Sequence, residues 1–185
     1  MVKLTAIIHG SRDPEYLMDV ERFFRRIGMD YVQLLGSEGL GIIPNSFPLF
    51  LERGSDYMRA LNIAEYKVKP LLEYEAFVKG LRAMLPSVVV MHGVARGQMD
   101  TIGVLESLGF RPILLANEPN VRSISRCPGE AYALVLFRGV IFRRIREALS
   151  SRCPGTALRG PLSGEPWFPE LLLKTLREAG LPIWP

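Results

Sequence analysis

The chain has 185 residues, of which 48% are hydrophobic and 23% are charged, and its net charge is +4 at neutral pH. These values fit one globular domain or two small ones, and they exclude a disordered chain, a collagen and a simple coiled coil. No apolar run reaches the roughly 18–20 residues that a membrane-spanning helix requires. The basic excess is small, and it suits an anionic small molecule as well as a nucleic acid.

Short apolar segments bounded by glycine or proline alternate with amphipathic segments along the chain. The former are typical of parallel strands buried on both faces, and the latter of helices that cover a sheet. We therefore predict an α/β fold with two doubly wound parallel sheets, one in each half of the chain. The predicted strands are 3–8, 31–35, 46–51, 65–69, 87–91, 112–116, 132–137 and 156–159. The predicted helices are 14–27, 74–84, 97–108, 140–150 and 168–179.

Two segments near the N-terminus carry particular predictions. The opening segment has no small-residue cleavage site, so we interpret it as a mature strand and not as a signal peptide. The connection over 36–45 is too short for a full crossover helix. One face of the first sheet would then be covered by the other half or by a second subunit, which makes a homodimer possible.

Four features occur twice in the same order, which predicts an internal duplication with halves 1–86 and 87–185. An apolar strand ends in His-Gly, a second strand ends near a carboxylate, a third apolar run reaches a glycine, and a Pro-Leu step opens an amphipathic segment. The paired sequences are TAIIHG and VVVMHG, LLGSEG and LLANEP, FPLFLERG and LVLFRG, and the segments that begin at Pro70 and Pro161.

The chain has two histidines, and both occupy the same place in this repeat. His9 and His92 each lie at the carboxyl end of the first strand of a half, followed by Gly10 and Gly93. Ligands of open α/β sheets bind at that end of the strands, and glycine lets them approach the backbone closely. A single histidine there could equally pack against the strand end and donate to a carbonyl. A matched pair that includes every histidine favours a shared site for metal binding or base catalysis.

The segment IIHGSRDPE around His9 resembles the opening motif of the sirohydrochlorin cobaltochelatases, the class II chelatases of siroheme and cobalamin synthesis. FPLFLERG and LVLFRGVIFRRIRE resemble a later motif of that family in its first-half and second-half versions. The segments after Pro70 and Pro161 resemble its closing helices. The likeness covers most of the chain, and HGSRDP is its most specific part.

This resemblance implies a bilobal fold with a cleft that holds an anionic tetrapyrrole. A divalent metal ion (Co²⁺, Fe²⁺ or Ni²⁺) would be the second substrate, inserted without a nucleotide. His9 would ligate the metal or accept a pyrrole proton, and His92 has the matching position. Arginine suits carboxylates as a bidentate donor, so Arg12 and Arg96, close behind the two histidines, are the best-placed substrate-binding arginines. With them we group the turn residues Gly10, Ser11 and Gly93.

The chain departs from the family at its second histidine. That position is Asp56 in the first half and Ile141 in the second. Asp56 could still ligate the metal or accept a proton, whereas Ile141 could do neither. Either the metal site is rebuilt from His9, His92 and a carboxylate, or the protein is a non-catalytic relative that binds a tetrapyrrole or a metal. Whether it is an enzyme is therefore left open.

Two further carboxylates, Glu38 and Glu118, follow the second strands of the two halves. We place Glu118 with His9 and His92 among the candidate catalytic residues. The alternative for both glutamates is an ordinary carboxylate in a turn or at a helix start. Nucleic-acid binding ranks last, because no reader motif and no interleaving of aromatic and basic residues occur.

The two cysteines, Cys127 and Cys153, lie in identical SRCPG pentapeptides. Two cysteines do not make the disulfide framework of a secreted domain, so we expect a cytoplasmic protein. Each precedes a predicted strand of the second half, at the end opposite the histidines. A bridge between them is conceivable and is left open, and CPG lacks the paired spacing of a zinc site.

Overall fold

The structure is a computed structural model that describes residues 3–36, 41–93 and 98–183, with the backbone alone for 98–100. The first half contains three strands and three helices among its described residues up to residue 84. Its strands are β1 (Thr5–His9), β2 (Asp30–Leu34) and β3 (Ser46–Pro48), and its helices are α1 (Pro14–Ile27), α2 (Ser55–Ile63) and α3 (Glu75–Met84), with a 3-10 turn at Leu71–Glu73 before α3.

The second half repeats this arrangement with one more strand. The strands are β4 (Val88–Met91), β5 (Arg111–Leu114), β6 (Glu130–Ala133) and β7 (Ala157–Arg159). The helices are α4 (Gln98–Ser107), α5 (Val140–Arg152) and α6 (Phe168–Glu178), with 3-10 turns at Val121–Ser123 and Leu162–Gly164. Within the described residues, no helix is both long and apolar enough to cross a lipid bilayer.

Two separate parallel sheets form, with strand orders β2-β1-β3 and β5-β4-β6-β7. This confirms the predicted α/β class with two parallel-sheet halves. The first strand of each half lies inside its sheet, with a neighbour on either side. His9 is therefore the last residue of one inner strand, and His92 directly follows the other.

The same backbone hydrogen bonds recur where the third strand of each half leaves its sheet. In both halves, the N–H of the residue that follows the third strand donates to a carbonyl of the inner strand. The carbonyl of the residue after it accepts from the leucine N–H of the Pro-Leu step, where a 3-10 turn begins. The equivalent pairs are Leu49 to Ile7 (2.9 Å) and Leu134 to Val90 (2.8 Å), then Leu71 to Phe50 (2.8 Å) and Leu162 to Val135 (3.0 Å). This is the pattern that a duplication predicts; the duplication and the boundary after residue 86 stay predictions.

Helix α1 has the bounds that the sequence predicts, because both of its ends carry local signals. The Asp13 side chain accepts a hydrogen bond from the Glu15 N–H at 3.1 Å, and Pro14 fits the first turn. Gly28 ends the helix with a φ of 69°, a conformation that glycine adopts at little cost. The other four predicted helices also form, with ends that differ by one or two residues.

The first half differs from the prediction between residues 49 and 70. Helix α2 was not predicted, and the expected strand over 65–69 is absent. Tyr57 of α2 donates its hydroxyl to the Val68 carbonyl at 3.0 Å, and the Lys69 N–H donates to the Tyr74 hydroxyl at 3.0 Å. Side chains thus satisfy backbone groups that a sheet would otherwise pair. The third strands are also shorter than predicted: 46–51 ends at 48, and 132–137 lies at 130–133.

Aromatic side chains from both halves form the centre of the largest core cluster. Phe23 of α1 contacts Phe137, which follows β6, and Phe168 of α6, with ring centroids 5.6 and 5.4 Å apart. Phe77 of α3 also contacts Phe168, at 6.4 Å. All four rings are nearly inaccessible to solvent. The two halves therefore share one hydrophobic core.

Polar contacts also link the halves along α1. Buried Asp19 accepts hydrogen bonds from the Ser163 hydroxyl at 2.5 Å and from the Arg138 N–H at 2.8 Å. Arg143 of α5 forms ion pairs with Asp13 at 2.8 Å and with Glu15 at 2.7 Å. These contacts fix α1 against the segment that follows β6, which forms part of the cleft described below.

The Asp13–Arg143 pair predicts a stability that depends on pH. The Arg143 guanidinium holds the pKa of Asp13 below its usual range. Because the folded pKa is depressed, the contribution to the free energy of unfolding is present above about pH 4 and is lost as the pH falls through the folded pKa. We expect Arg143→Gln to unfold at a higher pH than wild type in an acid titration followed by circular dichroism. Equal midpoints for Arg143→Gln and for Arg22→Gln, which removes an exposed arginine of α1, would contradict this.

Cys127 and Cys153 form a disulfide, which resolves the alternative that the sequence leaves open. Their Cα atoms are 5.4 Å apart. They precede β6 and β7, so the bond lies at the amino ends of these parallel strands, opposite the end where β4 leads to His92.

Candidate functional site

The two histidines line one cavity between the carboxyl ends of β1 and β4. Its volume is about 420 Å³, and it is lined by His9, His92 and the two segments 49–52 and 134–141, which follow the third strands. An adjoining volume of about 850 Å³ shares both histidines and extends to Asp56 on α2. The repeat thus brings the two imidazoles to a common space, as their matching positions predict.

His9 is paired with a carboxylate. Its Nδ1 atom contacts Oδ2 of Asp56, and the other carboxylate oxygen lies 3.2 Å from Arg59 Nη1. Asp56 belongs to the first turn of α2, where the helix dipole favours negative charge. The His9 side chain remains 63% exposed. Nε2 is therefore the ring nitrogen that a ligand in the cleft can reach.

Tyr16 of α1 lines the cavity and holds the backbone of His9 by a hydrogen bond. Its hydroxyl donates to the His9 carbonyl at 2.7 Å. Burial raises the pKa of Tyr16 far above its usual value, so the hydroxyl stays protonated and acts as a donor. The tyrosine also packs against Gly139, where an added Cβ would lie 3.1 Å from Tyr16 Cβ. The second half thereby helps to position the histidine of the first.

His92 has a different electrostatic environment. Its side chain is half-buried, and its imidazole forms no hydrogen bond among the described residues. Burial is the main cause that lowers the pKa of His92, and the charges of Arg144 and His9 act in the same direction. The ring is therefore neutral at pH 7, which is the form that ligates a metal or accepts a proton.

The two glycines that follow the histidines are required by packing. A Cβ on Gly10 would lie 2.1 Å from the Leu34 carbonyl oxygen. Gly93 has a φ of 87°, and its Cβ would lie 2.9 Å from Leu114 Cβ. Both glycines are predicted to let a ligand approach the backbone; they also have this packing role, because the chain turns closely past the second strand of each half.

Ser11 lines the cavity and is held by local hydrogen bonds. Its N–H donates to Gln33 Oε1 at 3.0 Å, and its hydroxyl accepts from the Asp13 N–H at 3.1 Å. Arg12 is exposed and lines neither volume of the cleft. Arg96 and Glu38, the remaining arginine and glutamate of the predicted set, lie outside the described residues.

The structure does not bring Glu118 to the histidines. This residue is exposed, and its carboxylate accepts hydrogen bonds from the Asn120 N–H at 2.8 Å and the Ser123 hydroxyl at 2.9 Å. It thus braces the turn at Val121–Ser123, which matches the alternative that the sequence allowed for it. Its catalytic role stays a prediction that the geometry does not favour.

No group of three or more histidine, cysteine, aspartate or glutamate side chains is arranged to hold a metal ion in the part of the chain that the structure describes. His9 and Asp56 are in contact, and His92 joins them only through the shared cavity. Ile141, which stands at the position of the family's second histidine, lines that cavity with an apolar side chain.

Sequence reasoning missed several residues of the cavity wall. Tyr16 was not considered because it reads as part of a helix, and Phe50 because the strand was extended to residue 51. Arg138 lies within the segment LVLFRGVIFRRIRE, where the sequence pattern does not distinguish it from the other arginines. The repeated apolar run before a glycine was the available signal, since in both halves its last residues form the wall of the cleft.

The fold of this chain is similar to that of two solved structures. No protein-family model and no curated protein matches the chain. Among solved structures, SirB from Bacillus subtilis with Fe3+ matches at 16% identity over 95% of both chains, with a TM-score of 0.57. CbiX, the terminal enzyme for biosynthesis of siroheme in denitrifying bacteria, matches at 15% identity over 96% of this chain and 99% of its own, with a TM-score of 0.60. The chain therefore has the two-lobed α/β fold of these two proteins, which is the fold that its resemblance to the class II chelatases predicts.

Proposed function

We propose that this protein inserts a divalent metal ion into a sirohydrochlorin-type tetrapyrrole. The observation that carries the proposal is the joint placement of the His9–Asp56 pair and His92 on one open cavity between the two halves. The likeness in fold to SirB and CbiX supports the same reaction class.

Metal insertion requires removal of two pyrrole protons and transfer of a partly dehydrated cation. The His9–Asp56 pair suits the first task, because a carboxylate that accepts from Nδ1 fixes the tautomer and leaves Nε2 as the acceptor for a proton. His92 is neutral at pH 7 and suits the second task as a metal ligand on the same cavity. Imidazole and carboxylate donors accept Co²⁺, Ni²⁺ and Fe²⁺, so the metal is not specified by these residues.

The lining of the cavity suits a ligand with a large apolar surface. Leu49, Phe50, Leu134 and Phe137 contribute apolar walls on both sides of the cleft. The guanidinium of Arg138 lines the same volume and forms no ion pair within the described residues, so it is available to a substituent carboxylate.

A second function is favoured by one specific observation. Ile141 occupies the position at which the family has its second histidine, and this residue supplies neither a ligand nor a base. A protein that binds the tetrapyrrole or the metal without catalysing insertion is therefore the competing proposal.

An anaerobic assay separates the two functions. Metal-free sirohydrochlorin is mixed with Co²⁺, Ni²⁺ or Fe²⁺, with and without protein, and insertion is followed by the change in absorbance. We expect at least one metal to be inserted faster in the presence of the protein. If the insertion rate with protein equals the rate without protein for each of the three metals, the protein is not an enzyme for this reaction. If the protein does not change the insertion rates but does shift the spectrum of the metal-free tetrapyrrole, the result supports the binding protein instead.

A further inference from the structure

A separate cavity of about 420 Å³ lies on the other side of His92. It is formed by the end of β5, the 3-10 turn Val121–Ser123 and the exposed face of α5. Its wall contains two guanidinium groups, Arg122 and Arg144, and one carboxylate, Glu147. Both arginines line this cavity, and neither forms a side-chain ion pair or hydrogen bond within the described residues.

The two elements that carry these arginines are tied to each other. Arg152, at the end of α5, donates from Nε and Nη2 to the Ile124 carbonyl at 3.1 and 2.6 Å, directly after the 3-10 turn. The disulfide between Cys127 and Cys153 joins the same two segments a few residues further on. The fold therefore fixes the relative positions of the two backbone segments that carry these arginines before any ligand binds, so no loop has to be ordered on binding.

Two described arginines near the Asp56 end of the cleft have carboxylate partners. There, Arg59 lies 3.2 Å from Asp56, and Arg53 forms a two-point ion pair with Glu73 at 2.5 and 2.8 Å. A guanidinium group that has no carboxylate partner in the protein keeps its N–H donors available for an incoming anion. Arg122 and Arg144 differ from these two arginines in that neither has an ion pair within the described residues.

We propose that Arg122 and Arg144 form a subsite for one peripheral carboxylate of the tetrapyrrole, next to His92. Two guanidinium groups and Glu147 leave a formal charge of one positive unit in the cavity, which matches a single carboxylate better than a doubly charged phosphate. The nature of the ligand rests on the proposed function, whereas the anion subsite does not. A carboxylate held there places the ring that carries it against His92, and it thereby selects one orientation of the macrocycle.

Two binding measurements at low salt test the subsite. Metal-free sirohydrochlorin is titrated into wild type, Arg122→Gln, Arg144→Gln and the double variant, and its affinity is measured from the spectral change. We expect each single variant to bind about threefold to tenfold more weakly and the double variant about 10-fold to 100-fold more weakly. Tricarballylate, a small tricarboxylate, serves as a second probe. We expect it to shift the amide NMR signals of Val121 and Ala148, which line the cavity, in wild type and not in the double variant.

The matched control is Arg146→Gln, which removes an exposed arginine of α5 that lines neither this cavity nor the cleft. Its affinity should stay within twofold of wild type. An equal loss in Arg146→Gln, or wild-type affinity in the double variant, overturns the subsite. If wild type inserts no metal but both probes still depend on Arg122 and Arg144, the proposed function fails and the subsite stands. If insertion proceeds and neither probe depends on these arginines, the subsite fails alone. Thermal unfolding of each variant verifies that it is folded.

Discussion

Replacing His9 by alanine is expected to lower kcat for metal insertion by a factor on the order of 10²–10³. The substitution removes the ring nitrogen that the cleft exposes to the macrocycle and leaves the Asp56 carboxylate without its imidazole partner. His9 is exposed and its backbone is held by Tyr16, so we expect the variant to stay folded. The measurement is the anaerobic insertion assay with saturating sirohydrochlorin and the preferred metal.

Asp56→Asn is the companion variant, because it preserves the shape of the pair and removes its charge. We expect a loss of about 10-fold to 100-fold in kcat with little change in the affinity for the tetrapyrrole. Added imidazole should restore part of the activity of His9→Ala and none of the activity of Asp56→Asn. An unchanged rate in His9→Ala would reject this histidine as the catalytic group even if the wild-type protein is an enzyme.

Replacing Phe23 by alanine is expected to lower the free energy of unfolding by about 3–5 kcal/mol. The ring lies at the contact of both halves, with centroids of Phe137 and Phe168 within 5.6 Å, and its removal leaves a cavity that neither half can close alone. Urea denaturation followed by fluorescence and by circular dichroism measures the change. Because the core is shared, both probes should give one coincident transition.

The control for Phe23→Ala is Met18→Ala on the same helix. Met18 is 64% exposed, and its truncation should change stability by no more than about 0.5 kcal/mol. Two separate transitions in wild type would show that the halves unfold independently. A loss below about 1 kcal/mol in Phe23→Ala would contradict the shared core as the main contact between them.

The elements that the sequence predicted well are those with strong local signals. Helix α1 has a capping aspartate, a proline in its first turn and a terminal glycine, so its bounds follow from residues 13–28 alone. Helix α2 is short and begins after Gly54 without a side-chain cap. Its spacing of Tyr57, Ala60 and Ile63 is a usable helical signal, although no element was predicted between the strands 46–51 and 65–69.

The site could be predicted only where the repeat fixed it. The matching positions of His9 and His92 were enough to place both at one end of the sheets. The contact between His9 and Asp56 depends on how α2 turns back toward β1, which no local pattern reveals. For the same reason Glu118 was overvalued, since its neighbours Asn120 and Ser123 hold its carboxylate in a turn.

The two ends of the cleft differ in charge, because the two imidazoles have different charged neighbours. His9 is accompanied by an acidic side chain, and the half-buried His92 by the guanidinium of Arg144. A cation approaching from solvent is attracted to Asp56 at the first end before it reaches His92 through the shared cavity, whereas a polyanion is attracted to Arg144 at the second end. Two reactants of opposite charge would thus arrive by separate routes, so that neither blocks the entry of the other.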